Sequence, residues 1–270
     1  MKLKALNIVC SQTELSKIPD GKVLINTINA HSYNTAQKDE AFAEALRTVH
    51  GSRLTVNDKT VCVKFLIPDG ASIVKACRWL KAKSQPKERI AGWDLFIFEM
   101  ERLEGRCKRE NVRGKVMFLG SSEEVLALIR KRAAVDYPHL DIITYSPPFK
   151  PEFSDEDNQT MIQAINDAAP DLLWIGMTAP KQEKWTYQHW DELNIHCHCG
   201  TVGAVFDFYA GTVKRAPLSW QRNSLEWLHR LIMEPRRMWR RYIIGAGKFL
   251  YYISKEFIQV SQVPNLPVLT

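Results

Sequence analysis

The 270-residue sequence predicts an α/β fold: a Rossmann-like parallel sheet flanked by helices, followed by a helical, basic C-terminal appendage. Three observations support this. Short apolar runs, several ending in glycine, alternate with segments of helical periodicity as far as about Gly211. Beyond that point only helical spacing remains. The same boundary divides the charge: from Val213 to Lys255 ten basic residues stand against Glu226 and Glu234, a net +8 where the whole chain carries +7. Residues 1–211 are therefore expected to form the α/β domain and 212–270 the appendage.

In chain order, Lys22 to Asn26 reads as a short buried strand, and Thr35 to Leu46 as a helix turning Ala36, Phe42, Ala43 and Leu46 to a core. Gly51 to Lys64, with Asn57-Asp58, reads as a hairpin. Val61 to Ile67 is strand-like, and Asp69-Gly70 opens a helix with Ile73, Val74, Cys77 and Leu80 on one face. Trp93 to Leu103 is helical. Lys115 to Gly120 is a strand, and Ser121-x-x-Glu124 is a capping box that opens a helix over Glu123 to Arg132. The pattern repeats with strand Asp141 to Tyr145, helix Asp155 to Ala168 after Ser154, strand Asp171 to Gly176 and a helix from near Pro180. In the appendage, Ser219 to Met233 lines up Trp220, Leu225, Leu228, Leu231 and Ile232, and Pro235 ends that helix or starts the next. Trp239, Tyr242, Ile243, Ala246, Phe249, Leu250, Ile253 and Phe257 then recur every three or four residues. That stripe fits either a helix docked on the main domain or one lying in a membrane interface; the concentrated positive charge favours the membrane.

Composition narrows the function classes. Hydrophobic residues at 45% and charged residues at 25% exclude a disordered chain or a coiled coil. The longest apolar stretch, Tyr242 to Ile253, is interrupted by Lys248 and falls short of the ~20 residues a spanning helix needs. No apolar run follows the basic N-terminus, so no secretory signal is expected. Cys10, Cys62, Cys77, Cys107, Cys197 and Cys199 are scattered without a framework spacing, which fits reduced thiols in a cytoplasmic protein. The basic appendage calls for an anionic partner: phosphate, nucleic acid or anionic lipid.

Three clusters could carry chemistry. Asn26 to Asn34, including Thr27, Asn29 and His31, stands where α/β sheets bind ligands, or is a polar turn capping the next helix. Asp69 in Pro68-Asp69-Gly70 is a general base or a helix N-cap. Pro180-Lys181-Gln182-Glu183 opens a helix, where backbone N–H groups and Lys181 favour an anion, or is ordinary capping chemistry. In His196-Cys197-His198-Cys199 the histidines share one strand face and the cysteines the other, so no zinc site is expected. There is no dinucleotide fingerprint and no P-loop; arginines are expected to hold any diphosphate and no metal or cofactor is expected.

Six motifs in order carry a resemblance: Thr27 to Tyr33; Pro68-Asp69-Gly70; Arg89-Ile-Ala-Gly92-Trp-Asp94; Pro180 to Glu183; Gly211 to Pro217; and Glu226-Trp227 through Arg230, Glu234-Pro235 and Arg237. From about residue 22 to 245 the chain resembles the WecG/TagA/CpsF glycosyltransferase family, and its His-Ser-Tyr string resembles the exopolysaccharide-building branch. The resemblance implies an inverting transfer from a UDP-sugar to a polyprenyl-diphosphate-linked sugar, without an obligatory metal. It implies a Rossmann-like domain whose appendage reaches the inner face of the plasma membrane and helps complete the site, on a protein peripheral to that membrane. Oligomers typify such relatives, so a homo-oligomer is a weak expectation. Motif by motif, Asp69 falls on the catalytic base, Thr27, Asn29, Arg89 and Gln182 on the active-site pocket, and Arg230, Arg237 and Arg240 on the arginines that meet the diphosphate. Thr27 and Gln182 are grouped with Asp69 as catalytic; His31, Lys181 and Glu183 join Asn29 and Arg89 as substrate-binding. Two departures stand out: the Gly51 to Lys64 insertion just before Asp69, and Ser146-Pro147-Pro148-Phe149 in place of a Gly-x-Phe turn. A nucleic-acid-binding protein is the rival from another class, disfavoured because the positive charge is confined to the tail. A non-catalytic membrane scaffold and a nucleotide-sugar hydrolase or epimerase are the others.

Overall fold

A computed structural model describes residues 1–48, 53–56, 59–62, 64–222 and 225–261. A one-turn helix α1 (Gln12–Leu15) leads into strand β1 (Val23–Ile28), all but one of whose residues are buried. The helix expected over Thr35 to Leu46 is two: α2 (Ala30–Ala36) and α3 (Glu40–Arg47). The break falls where Asp39 accepts a hydrogen bond from the Phe42 N–H at 2.9 Å and starts a new helix. Strands β2 (Arg53–Val56) and β3 (Lys59–Cys62) pair antiparallel, which is the expected hairpin; its Asn57-Asp58 turn lies outside the described residues. Strand β4 (Lys64–Pro68) follows, then helices α4 (Ala71–Trp79) and α5 (Gly92–Glu110).

Strand–helix alternation then runs as β5 (Gly114–Gly120), α6 (Glu123–Asp136), β6 (Leu140–Tyr145), α7 (Asp155–Ala168), β7 (Leu172–Gly176), α8 (Lys181–His189), β8 (His198–Thr201) and α9 (Gly203–Ala210). The cap of α6 is Ser122 rather than Ser121; Ser121 takes a positive φ and extends the turn by one residue. Six strands form one all-parallel sheet in the order β4-β1-β8-β7-β5-β6. Helices α5, α6 and α9 cover one face around Phe96, Phe118, Trp174 and Phe206. Helices α7 and α8 cover part of the other, around Met161, Ile165 and Trp185. A third cluster joins α2, α3 and α4 to the N-terminal segment.

The chain leaves β1 toward β4 and β7 toward β8, both in the direction of the β4 edge, whereas it leaves β5 toward β6, so the winding reverses inside the sheet. Ligands of open α/β sheets sit outside the carboxyl ends of the strands at such points. Close approach there requires two glycines. At Gly120, with φ +126°, a Cβ would come within 2.3 Å of the Gly176 carbonyl oxygen, and at Gly203 one would come within 2.3 Å of that of Met177.

After α9 the chain is helical: α10 (Leu218–Arg222), α11 (Glu226–Met233), α12 (Pro235–Trp239), a π-helical turn over Arg240–Ile244, and α13 (Gly245–Ser261). The single helix expected over Ser219 to Met233 is thus two, and Pro235 starts a helix at its first position. No helix among the described residues is long and apolar enough to cross a membrane. The apolar stripe of the last segment divides: Phe249 and Ile253 are buried with Tyr33 and Ala36, while Trp239, Ile243, Leu250 and Phe257 are exposed.

Candidate active site

The geometry around Asp69 follows from parallel pairing of β1 and β4. Thr27 lies opposite Ile67 and Ile28 opposite Pro68, so Asp69 emerges one residue past β4, its N–H donating to the Ile28 carbonyl at 2.9 Å. Asp69 is not the cap of α4; Gly70 holds that position without a side-chain bond. The Asn29 side-chain oxygen accepts from the backbone N–H groups of His31 and Ser32, both at 3.0 Å, and caps α2. The same side chain favours the ionised form of Asp69. Asn29 is therefore a cap and a neighbour of the carboxylate at once.

Charge gathers around Asp69 from three directions. Burial pushes its pKa up to about 6, against the pull of Arg89 and Arg230 and with a push from Glu226. Arg89, in the loop before α5, is ion-paired to Glu226 of α11, and the second Glu226 oxygen accepts from Arg215 at 2.9 Å. Burial opposes the Glu226 charge, but hydrogen bonds and charge from Arg89 and Arg215 outweigh it and hold its pKa below the ordinary value. Arg230, one turn along α11, lies 4.9 Å from the Phe208 ring, and Arg215 lies 4.9 Å from Trp93. Thr27 is close by: a Cβ on Gly92 would stand 3.5 Å from its methyl group.

The α8 residues are held by contacts of their own. Gln182 and Glu183 are buried. The Gln182 oxygen accepts from the Met177 N–H at 3.1 Å and its amide nitrogen donates to Glu183 at 2.9 Å, which fixes the amide orientation. Burial pushes the Glu183 pKa up to about 7. Lys181 turns to the loop after β6, donating to the Lys150 carbonyl at 2.5 Å with its ammonium 3.4 Å from the centre of the Phe153 ring. His31 is exposed at the start of α2; partial burial of its ring, then the charge of Arg241, lower its pKa. Arg240 is exposed, and the Arg237 side chain lies outside the described residues. His198 is buried and bonded to Glu99 at 2.9 Å and to the Pro19 carbonyl at 3.0 Å, with Cys197 and Cys199 packed on the opposite side of the sheet. Among the described residues no group of three or more His, Cys, Asp or Glu side chains is arranged to hold a metal ion.

Residues 9–262 match the family described as Glycosyl transferase WecG/TagA/CpsF family. The chain belongs to this glycosyltransferase family. Among curated proteins it is 30% identical over 192 residues to an N-acetylglucosaminyldiphosphoundecaprenol N-acetyl-beta-D-mannosaminyltransferase of Bacillus spizizenii, covering 71% of this chain and 68% of that one. Proteins of the same description from Bacillus subtilis and Staphylococcus aureus are 28% and 27% identical, each over 86% of this chain and 79% and 80% of theirs.

For a glycosyltransferase of this family, the structure brings Thr27, Asn29, Asp69, Arg89 and Arg230 to one edge of the sheet. Sequence reasoning had not singled out Glu226 and Arg215 as members of the site. Both lie inside quoted motifs, and the signal was an acid at the head of an otherwise basic helix face, at Glu226 and Arg230.

Proposed function

We propose that this chain is an inverting glycosyltransferase that moves a sugar from a UDP-sugar to a polyprenyl-diphosphate-linked sugar, in exopolysaccharide or other cell-surface polymer synthesis. The observation that carries the proposal is a carboxylate poised near neutrality at the carboxyl edge of the sheet, flanked by Arg89 and Arg230. In the reaction the acceptor hydroxyl oxygen attacks the anomeric carbon from the face opposite the diphosphate and passes its proton to Asp69. The bond between that carbon and the leaving oxygen breaks, and UDP departs with the electron pair. Guanidinium groups meet the growing charge on the diphosphate. The names of the relatives make N-acetylmannosamine the first donor sugar to test and an N-acetylglucosaminyl-diphospho lipid the first acceptor.

The appendage supports work at a lipid surface. Trp227, Ile232, Met233, Trp239, Ile243 and Ile244 are exposed in a segment that also carries Arg236, Arg240 and Lys248. Exposed apolar side chains rimmed by cations fit the interface of an anionic bilayer. This supports a peripheral place on the cytoplasmic face, beside the lipid-linked acceptor.

The test is UDP release from a panel of UDP-sugars, with and without a short-chain polyprenyl-diphosphate-sugar, for wild type and Asp69→Asn. Acceptor-dependent release for one donor, lowered about 100-fold or more in the variant, is expected for a general base. Release that ignores the acceptor would identify a hydrolase instead.

A further inference from the structure

Glu226 is the first residue of α11, and Arg230 lies one turn on, so both face the α/β domain from the same side of that helix. Glu226 is held from both sides. Arg89 reaches it from the α/β domain, and Arg215 reaches it from the segment before α10, itself backed by the Trp93 ring. All three side chains are about four-fifths buried, with 19%, 21% and 17% of the Arg89, Glu226 and Arg215 side chains exposed. Charge-assisted pairs in such surroundings are stronger than those at an open surface. The groups acting on Asp69 are Arg89, Arg230, Glu226 and Asn29. Arg89 acts on it through charge at a distance, while its hydrogen bond goes to Glu226.

We propose that Glu226 is a positioning residue that seats α11 on the active site and holds the Arg89 guanidinium away from Asp69, so that docking of the appendage sets the carboxylate up as a base. The inference rests on the functional reading above, in which Asp69 is that base. A guanidinium released from Glu226 has a nearby carboxylate to pair with, and an Asp69 so paired is ionised at lower pH and accepts a proton less readily. Docking α11 also places Arg230 over Phe208, beside the same carboxylate. Glu226 thereby links the position of the appendage to the protonation of the site.

The experiment is the pH dependence of acceptor-dependent UDP release by the full chain, for wild type, Glu226→Gln, Glu226→Asp and Asp69→Asn, with thermal melting of each. For Glu226→Gln the plateau rate is expected to fall about tenfold, the size of one lost charged hydrogen bond. Its acid limb is expected to move about one pH unit lower as Arg89 turns to Asp69. Glu226→Asp, which keeps the charge, is expected to return the limb toward the wild-type position. A role confined to holding the fold would lower the melting temperature and the rate and leave the limb in place, and that result overturns the inference. An inactive Asp69→Asn beside an unshifted Glu226→Gln limb overturns the positioning role alone. An active Asp69→Asn overturns the base assignment and the positioning role together.

Discussion

Two stretches of the appendage share a composition and a spacing and differ in what they touch. Helix α13 is docked: Phe249 meets the Tyr33 ring edge-on at 5.5 Å between centroids, Ile253 is buried beside it, and Asn34 donates to the Gly245 carbonyl at 2.7 Å. Its Glu256 is buried, accepting from the Leu3 and Lys4 N–H groups and the Tyr33 hydroxyl, each at 2.9 Å. No residue of helix α11 is fully buried, and of α12 only Met238 is, among the described side chains. Aromatic residues at helical spacing therefore do not reveal by themselves which helix is an anchor and which is a contact surface. The partner decides: α2 and the N-terminal segment present an apolar face and two backbone donors to α13, while α11 meets the α/β domain through charge.

The largest effect that separates the two is expected from Phe249→Ala, which empties part of a packed cluster and costs about 3–5 kcal/mol in urea unfolding. If that variant lost under 1 kcal/mol, α13 would not be an anchor. Next comes a double change on the other side, Trp239→Ser with Ile243→Ser. Binding to anionic vesicles is expected to weaken about tenfold or more, while stability stays within about 0.5 kcal/mol per site. Unchanged vesicle binding would place the lipid contact elsewhere. The smallest effect is expected from Arg240→Gln, an exposed cation: a modest loss of vesicle binding that 0.5 M salt abolishes.

The parallel sheet was legible because buried strands and capped helices leave strong local marks; α7 runs Asp155–Ala168 behind its Ser154 cap as expected. Boundaries failed where a single polar side chain decides them, as Asp39 does between α2 and α3, or Ser122 ahead of α6. Asp69, Asn29 and Thr27 were readable as polar residues at a strand end. Arg89 and Arg230 were readable beside them through the family's motifs, but the pairing of Arg89 with Glu226 was not, because the two are 137 positions apart and meet only through the docking of α11. Gln182 and Glu183 show the converse: a motif can mark residues that are buried and bonded to each other.

The most direct test of Asp69 as the base is the kcat/KM pH profile of the wild-type enzyme with its acceptor. A general base works ionised, and burial places the Asp69 pKa at about 6, so the rate is expected to rise through that pH and level off above it. Below pH 5 the carboxyl is protonated and the rate is expected to fall about tenfold for each further unit. A profile flat from pH 5 to 8, or one whose acid limb persists in Asp69→Asn, would contradict the account.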